Sequence, residues 1–421
     1  MRDLTMDAVP QPGAERTVRP ASAPAPAEAS LMPASYRARL HLDLAPVSGL
    51  WRSLQEAGAC TAYQRLEWAQ SLVAHLVPGS GASLLVVEVA EAGSGRPIML
   101  VPLVRLKRPG YSAIQWLDLG VCDYAAPILA PGTVLSPSEA ARAWDAVRSV
   151  LPKADLVRIT RIPREIFGTP NPLGLLPAAR VIPMKASGIA LEGEPETLIK
   201  RTCSDSTTKD IAKRRKRLAT YGQARFVEAR TPEEAERIFD VLLRQRRERF
   251  RGLGRFDLLD RPEVVAFYRD AALRSVPDGL VRVFGIEVNG EWIATAYGLE
   301  HGGAFHGILL AIAGEGWKPV APGILIVAEI MEWSRRSGLT YLDFTIGDLP
   351  YKNGFRPVSR ELMELAEARS LRGHLVLAGE RGRVGAKAAL QRHPALFERL
   401  REARQRLRRF GKTGWRGSGD S

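Results

Sequence analysis

The stretch that decides the fold prediction is Tyr341-Leu-Asp-Phe-Thr-Ile-Gly-Asp-Leu-Pro-Tyr-Lys-Asn-Gly-Phe355. Its first five residues are mostly aromatic, apolar or β-branched and predict a strand, and the glycines after them predict turns. The preceding segment, Ala321-Pro-Gly-Ile-Leu325, predicts the start of a helix that continues to about Arg336, where Gly338 follows as a stop. A helix opened by Pro-Gly, a strand and a glycine-containing turn therefore form one ordered series.

The same series of elements occurs in both halves of the chain. In each half, two strand patterns separated by a turn precede a helix that begins at a proline, and another strand follows that helix. In the second half the turn is Asn289-Gly290, which is the strongest short-range hairpin signal. The repetition predicts two copies of one α+β domain. The first unit comprises residues 84–103, 136–151 and 155–160, and the second comprises residues 281–297, 322–338 and 341–345.

This ordered set resembles the GNAT-type acyltransferases of the CelD/BcsL group, which are relatives of the Fem peptidyltransferases, over roughly residues 35–370. The resemblance implies an α+β fold of tandem GNAT-like domains, each a mixed sheet flanked by helices. Positions in the first half that also match this family's pattern are expected to shape the cleft between the domains. They are Tyr63-Gln64 with Trp68, Pro102-Leu103 and Asp123-Tyr124.

The domain prediction follows from this repeat and from composition. Residues 1–34 are rich in Ala and Pro and are predicted to be a disordered extension. Residues 35–185 are expected to form an N-terminal diverged GNAT-like domain, and residues 186–370 a C-terminal GNAT-like acyltransferase domain. Residues 371–421 are expected to hold a basic C-terminal helix and tail, with a hairpin-like stretch at residues 368–377.

Composition is that of an average globular protein, with 421 residues of which 45% are hydrophobic and 25% charged. No apolar run reaches the about 18 residues of a transmembrane helix, and the N-terminal extension lacks the apolar core of a signal peptide. The expected location is therefore cytoplasmic. Three distant cysteines and six scattered histidines show neither a disulfide framework nor zinc-ligand spacing, so no metal is expected. Serine-hydrolase and P-loop motifs are missing as well.

The net charge of +14 is concentrated in two segments. Residues 200–225 carry +7 and residues 399–421 carry +6, which leaves the remaining chain nearly neutral. Aromatic residues are sparse in both segments, so the usual stacking platform for single-stranded bases is lacking. The charge pattern therefore argues against nucleic acid as a partner.

The resemblance implies a cofactor site at Pro322, Gly323, Ile324 and Leu325, because acyl-CoA enters between two splayed parallel strands in a GNAT fold. Backbone N–H groups at the following helix start receive the pyrophosphate, and the helix dipole favours the anion. Gly323 lets the backbone approach a phosphate closely, although Pro-Gly is also a common helix entry. The co-substrate implied is acetyl-CoA or another acyl-CoA. The usual loop Q/R-x-x-G-x-G/A is absent here, and its one match, Arg249–Gly254, follows a predicted helix.

Three residues are candidates for catalysis. His306, on the strand predicted at residues 303–310, could act as a base or be a structural histidine. Asp343 lies in an apolar strand, where a carboxylate must be paired or protonated, so it is either a general base or a partner of the Gly347 turn. The resemblance implies that Tyr351 is the group that protonates the departing CoA thiolate.

Four cationic residues are candidates for substrate binding: Lys352, Arg246, Arg249 and Lys213. Lys352 could pair with phosphate or with an acidic substrate. Lys213 begins the run Lys213–Arg217, on a helix predicted to open at Thr207, and the resembled family has a basic helix there. Five consecutive cations circle a helix, so the run is either a solvated surface or a face that steers an anionic acceptor or the cofactor.

The leading functional hypothesis is an acyl-CoA-dependent N- or O-acyltransferase acting on an amine or hydroxyl acceptor. The resembled group is linked to exopolysaccharide or cellulose production. One alternative is a Fem-like transferase that uses aminoacyl-tRNA, although the long heptad hairpin of those relatives is missing from the second half. The other alternative is a non-catalytic basic adaptor that binds nucleic acid or anionic lipid.

Overall fold

The structure of the protein is a computed structural model that describes residues 35–347 and 350–392, without the side chains of residues 350, 351, 381 and 383–392. The predicted extension at residues 1–34 and the basic tail at residues 393–421 lie outside this part. None of the helices described is both long and apolar enough to cross a membrane.

The described residues form one large mixed sheet flanked by helices, which confirms the predicted α+β class. The strands are β1 (Tyr36–His41), β2 (Ala82–Glu91), β3 (Pro97–Arg108), β4 (Tyr111–Trp116), β5 (Ile128–Leu129), β6 (Leu156–Pro163), β7 (Glu165–Ile166), β8 (Thr169–Pro170), β9 (Ala179–Ala190), β10 (Ala224–Glu228), β11 (Val281–Val288), β12 (Glu291–His301), β13 (Ala304–Ile312), β14 (Tyr341–Ile346) and β15 (Val358–Ala368).

The α-helices are α1 (Ser48–Ala57), α2 (Leu66–Ser80), α3 (Pro137–Val150), α4 (Pro195–Thr202), α5 (Asp205–Ala219), α6 (Pro232–Gly252), α7 (Pro262–Ser275), α8 (Pro322–Arg336) and α9 (Leu371–Arg392). Short 3-10 helices occupy Ala45–Val47, Ala62–Gln64, Pro172–Leu175, Leu258–Asp260, Glu315–Val320 and Pro350–Phe355.

The predicted hairpin–helix–strand unit occurs in both halves. β4 and β6 are parallel neighbours joined through α3, and β13 and β14 are parallel neighbours joined through α8. The hairpin predicted at Asn289–Gly290 joins β11 to β12, with φ of 50° and 88° at its two residues, as a type I′ turn requires. The predicted repeat of one α+β unit in the two halves is therefore confirmed.

The two halves exchange strands at the centre of the sheet. The strand order is β1-β2-β3-β4-β6-β15-β9-β14-β13-β12-β11-β10, with β5 beside β3. β15, the last strand of the described chain, pairs with β6 and β9, and β9 in turn pairs with β14. The predicted boundary between residues 185 and 186 falls inside β9 and so divides a continuous strand whose partners, β14 and β15, both come from the second half.

Helices cover both faces of the sheet and bury its apolar side chains. On one face, α2, α6 and α7 enclose a core in which the Trp68 and Phe267 rings lie 4.6 Å apart. On the opposite face of the second half, α4, α5 and α8 enclose a core in which Phe284 and Trp333 lie 4.7 Å apart. These layers hold β13, β14 and the start of α8 in fixed relation.

Two predictions of secondary structure are wrong, one of a helix start and one of a hairpin. In both cases a serine caps a helix that begins elsewhere than predicted. The basic helix α5 does not open at Thr207, because Ser204 is its N-cap and accepts a hydrogen bond from the Thr207 N–H at 3.2 Å. The hairpin expected at residues 368–377 is instead the end of β15 followed by α9. The Ser370 hydroxyl accepts a hydrogen bond from the Gly373 N–H at 3.2 Å at that helix start.

Candidate active site

β13 and β14 are hydrogen-bonded neighbours along only a short stretch, Ala304–His306 beside Tyr341–Asp343, and then they separate. The separation coincides with an irregularity in β14, since its register with β9 shifts between Asp343 and Ile346. Thr345, inside this irregularity, has a φ of 55°, which is strained for a β-branched residue. Its hydroxyl donates to the Gly307 carbonyl at 3.2 Å and so spans the two strands where they open.

The last paired residues of the two strands, His306 and Asp343, are joined through their side chains. His306 Nδ1 lies 3.1 Å from Asp343 Oδ2, and both side chains are buried. Tyr124, from the first half of the chain, donates its hydroxyl to Asp343 Oδ2 at 2.8 Å, and the Thr345 N–H donates to Oδ1 at 2.7 Å. The buried carboxylate is therefore paired, as its apolar strand requires, and its backbone partner is Thr345.

The donors around Asp343 fix the position of the proton on His306. Burial, followed by the charge of Asp343, raises the pKa of Tyr124 well above its ordinary value, so the hydroxyl keeps its proton and donates it. An ionised carboxylate has no hydrogen to donate, so Asp343 must accept a hydrogen bond from the imidazole as it does from Tyr124 and Thr345. Nδ1 of His306 therefore carries the hydrogen. His306 Nε2 then has the unused lone pair, and this buried atom has no hydrogen-bond partner within the described part of the chain.

A second carboxylate lies beside this network. Asp123 accepts a hydrogen bond from the Tyr63 hydroxyl at 3.2 Å, and burial raises the pKa of Asp123 above its ordinary value. The rings of Tyr63 and Tyr124 lie edge-on to His306, with centroids 6.3 and 6.5 Å from the imidazole centroid. The first half of the chain therefore contributes polar groups directly to the surroundings of His306.

The contact between Tyr124 and Asp343 is the part of this site that the sequence does not reveal. The two residues are 219 positions apart, and no local spacing links them. The available signal is the polar pair Asp123–Tyr124 within an otherwise apolar run, Val121–Ala126. Polar side chains in such a run must find partners when they are buried, but the sequence does not name those partners.

The gap between the separated strands opens into a cavity of about 700 Å³. β13 and β14 form its walls, the start of α8 borders one side, and the end of α6 borders another. Its lining is mainly apolar. Five cationic residues also line it: Arg246, Arg249, Arg255, Lys318 and Lys352. A largely apolar cavity of this size with a few charged groups is typical of a small-molecule site.

Three of the four residues predicted to bind the cofactor line this cavity: Pro322, Gly323 and Ile324. Leu325 is instead buried in the core that α8 forms against the sheet. A Cβ atom at Gly323 would lie 3.3 Å from Ile312 Cγ2, which is tighter than an ordinary contact. The glycine therefore leaves room at the helix start, where N–H groups and the helix dipole suit a phosphate.

Two of the predicted substrate-binding cations, Arg246 and Arg249, line the cavity from α6. Arg246 donates two hydrogen bonds to Asp257, at 2.7 and 2.8 Å, and its guanidinium lies 4.9 Å from the Phe250 ring centroid. Burial works to raise the pKa of Asp257, but the hydrogen bonds and charge of Arg246 hold it below its ordinary value. Arg246 is therefore a fixed positive group at the cavity wall.

Lys213, the fourth predicted substrate-binding residue, is exposed on α5 and does not line the cavity. Part of the basic run around it is neutralised within the protein. Arg214 pairs with Asp210, and Arg215 pairs with Glu329 and Glu332 of α8 at 2.8 and 3.0 Å. The Arg215 pairs fix α5 against α8, whereas the Arg214–Asp210 pair lies within α5, so at least two of the five cations have structural partners.

Lys352 and Tyr351 follow β14 in the 3-10 helix Pro350–Phe355. The Lys352 ammonium is buried at the cavity wall and donates to the carbonyls of Phe344 and Gly347, at 3.0 and 2.8 Å. These bonds stabilise the turn after β14. The side chain of Tyr351 lies outside the described part of the structure, so its role as a proton donor stays a prediction.

Comparison with known proteins agrees with this geometry. Residues 205–353 match the family described as Acetyltransferase (GNAT) domain. A search of curated proteins finds no match for the chain. The crystal structure of FemX superposes with a TM-score of 0.54 at 11% identity, covering 78% of this chain and 96% of that chain.

Two further solved structures are similar over most of the chain. L-PGS from Bacillus licheniformis has a TM-score of 0.46 at 14% identity, with 80% of this chain and 96% of that chain covered. A tandem GNAT protein from the clavulanic acid biosynthesis pathway has a TM-score of 0.43 at 11% identity, with 80% and 98% covered. Both TM-scores lie below 0.5, so the fold comparison rests on FemX.

The segment that matches the acetyltransferase family contains the separated strands β13 and β14, the start of α8, and the His306–Asp343 pair. The site and the family match thus coincide in one part of the sheet. Residues 205–353 are therefore similar to a GNAT acetyltransferase domain, which supports an acyltransferase activity, and the fold of the described chain is similar to that of FemX.

Proposed function

We propose that the protein transfers an acyl group from acyl-CoA to an amine or hydroxyl acceptor, with His306 as the general base. The observation that carries this proposal is the position of the His306–Asp343 pair at the point where β13 and β14 separate. The cavity lies beside that point, where Phe305, Gly307 and Leu342 line it, and extends to the start of α8. His306 and Asp343 are buried behind this lining and are not part of it. Acyl-CoA bound there supplies an activated thioester.

In this proposal, His306 Nε2 accepts the proton that the acceptor loses when its nitrogen or oxygen attacks the thioester carbon. Asp343 holds the imidazole through Nδ1 and stabilises the positive charge that develops on it. The C–S bond breaks, and the departing thiolate takes a proton from the Tyr351 hydroxyl. Tyr124 keeps Asp343 in place from the other half of the chain.

The start of α8 is the proposed pyrophosphate site, through Pro322, Gly323 and Ile324, with Leu325 supporting it from the core. Arg246, Arg249 and Lys352 are proposed to bind anionic groups of the substrates, since all three line the cavity. Lys213 is proposed only to attract anions over a distance, because it is exposed and outside the cavity lining.

The sequence features that resemble the CelD/BcsL group support a finer proposal. We infer a cytoplasmic enzyme linked to exopolysaccharide or cellulose production, with domain limits at residues 35–185 and 186–370 and a basic segment at residues 371–421. The match to an acetyltransferase domain favours this enzyme over a non-catalytic adaptor that binds nucleic acid or anionic lipid.

A Fem-like transferase that uses aminoacyl-tRNA is the second candidate, because FemX shares the fold. Calorimetry with acetyl-CoA, a longer acyl-CoA and uncharged tRNA separates the two candidates. We expect saturable binding of the CoA thioesters and a raised melting temperature in their presence, since ligands that bind the native state stabilise it. Binding of tRNA without binding of any CoA thioester would favour the second candidate.

The catalytic assignment is tested by CoA release with a panel of amines and alcohols as acceptors. We expect His306→Gln and Tyr351→Phe to lower the rate by about two to four orders of magnitude, because each removes a proton-transfer group. Both variants should bind acetyl-CoA as the wild-type protein does, which serves as the control for folding. A full rate in either variant would remove that residue from the mechanism.

A further inference from the structure

The cavity has an inner part that extends past the point where β13 and β14 separate. Phe305 and Leu342 line it although they are direct neighbours in the paired section of the two strands. Ile330, which lies eight residues after Pro322 along α8, lines it as well. Eight residues correspond to about 12 Å along a helix axis, so the inner part reaches well beyond the helix start.

The wall of this inner part is apolar and buried. It is formed by six side chains from β12, β13, β14 and α8, all of which belong to one core cluster: Ala296, Phe305, Val327, Ile330, Leu342 and Phe344. Four of the five cationic residues of the cavity lie on or just after α6 and in the 3-10 helix before α8: Arg246, Arg249, Arg255 and Lys318. Lys352, the fifth, lies beside the apolar wall, with its ammonium 5.8 Å from the Phe344 ring centroid and bonded to backbone carbonyls. The part of the cavity near α6 and the start of α8 therefore suits phosphate, and the apolar wall suits hydrocarbon.

Open space against this wall is unusual for a protein core. Interiors are packed as densely as organic crystals, and side chains that face a void lose dispersion contacts on that side. Apolar cavities that do persist stay dry and take up apolar molecules. An acetyl group at the strand opening would leave this inner wall without a partner.

We propose that the inner part of the cavity binds an acyl chain several carbons longer than acetyl, so that the donor is a medium- or long-chain acyl thioester. The inference rests on the proposed acyl-CoA site, and it adds the class of acyl group. The bound acyl chain lies on the α8 face of the sheet. Tyr63 and Tyr124 lie away from it and approach His306 from the first half of the protein. The acceptor then reaches the thioester carbon from the His306 side.

Calorimetric titration with CoA, acetyl-CoA, butyryl-CoA and octanoyl-CoA tests this inference. We expect affinity to rise with chain length by up to roughly fourfold for each methylene buried, until the inner part is filled. Equal affinities for acetyl-CoA and octanoyl-CoA would overturn the inference and leave the proposed acyltransferase function intact. Failure of every CoA thioester to bind would overturn both.

A variant that fills the inner part of the cavity provides a second test of the inference. Ala296→Leu should abolish the advantage of octanoyl-CoA while leaving acetyl-CoA affinity within about twofold of wild type, because Ala296 lies on the inner wall. Val327→Phe fills the same space from α8 and replaces the first variant if that one is unstable. Ala212→Leu makes the same change on the exposed surface of α5 and should keep the octanoyl-CoA advantage. An undiminished advantage in the filled variants would contradict the inference.

Discussion

At the scale of single residues, the sequence predicts that Asp343 needs a partner, and the structure identifies its partners. A carboxylate in an apolar strand must be paired, and the structure supplies Tyr124, His306 and the Thr345 N–H as its partners. The sequence suggests the Gly347 turn as a candidate partner of Asp343. In the structure the Gly347 carbonyl instead accepts a hydrogen bond from Lys352. The carboxylate therefore supports both the local backbone and the orientation of the imidazole.

Asp343→Asn should lower both stability and rate. The amide cannot accept from all three donors, so a buried group loses its partner and the free energy of unfolding falls by about 1–3 kcal/mol. If the amide donates to His306 Nδ1, the proton moves to Nε2 and the base is lost, with a rate decrease of about two to four orders of magnitude. Urea unfolding and CoA release measure the two effects.

Tyr124→Phe is the matched control for that variant. It removes one hydrogen bond to Asp343 but leaves the carboxylate able to accept from His306, so the tautomer and most of the rate should survive. A wild-type rate in Asp343→Asn would show that the pair is structural. A rate loss in Tyr124→Phe as large as in Asp343→Asn would assign Tyr124 a part in proton transfer.

At the scale of elements, the start of α8 and its approach to β13 decide how the cavity opens. Pro322 and Gly323 predict a helix start, and the structure places both at the cavity. The residue before them, Ala321, has a φ of 43°, a left-handed conformation that the surrounding structure must hold. The helix begins at Pro322, which has no N–H, and the Ile324 N–H donates to the Ala321 carbonyl at 2.9 Å. The Gly323 N–H is therefore the helix-start donor proposed for the phosphate.

Gly323→Val should weaken acyl-CoA binding by at least about tenfold while the protein stays folded. A side chain at this position would approach Ile312 of β13 closely and narrow the helix start. Calorimetry with acetyl-CoA measures the loss, and Gly314→Val is the control, because a side chain at Gly314 meets nothing within 4 Å. Equal affinities in the two variants would rule out the start of α8 as the phosphate site.

At the scale of the whole molecule, side chains as well as strands connect the two halves. His301, at the end of β12, lies with Nε2 3.0 Å from the Cys60 carbonyl of the first half. Burial, followed by the charge of Arg65, lowers the pKa of His301 to about 4. The imidazole is therefore neutral in the folded protein, and Nε2 can donate its hydrogen to that carbonyl.

The pKa of His301 predicts a loss of stability in acid. An unfolded histidine titrates near 6.5, so the unfolded state binds more protons as the pH falls below that value. The loss of unfolding free energy starts as the pH falls below about 6.5, and it reaches roughly 3 kcal/mol by about pH 4. His301→Gln keeps a donor for the Cys60 carbonyl without titrating in this range. Urea unfolding between pH 7 and 4 should show a shallower decline for this variant, and identical slopes would contradict the assignment.

The sequence by itself determined the elements and their order. Periodicity, Pro-Gly and Asn-Gly signals and the repeated series predicted β11 to β14, α8 and the tandem α+β class, because such signals act over neighbouring residues. The same reasoning placed His306 and Asp343 on two strands, and the resemblance to the GNAT fold implied that these strands are neighbours. Errors arose where two serine or threonine caps competed, as at Ser204 and Thr207.

Only the tertiary structure decided which groups meet. The exchange of β9 and β15 between the halves, and the hydrogen bond from Tyr124 to Asp343, join residues that are far apart in the chain. Such contacts depend on the packing of the whole sheet, and no local spacing encodes them. The inner, apolar part of the cavity likewise depends on how α8 packs on the sheet. In the sequence its wall residues cannot be distinguished from other apolar core residues.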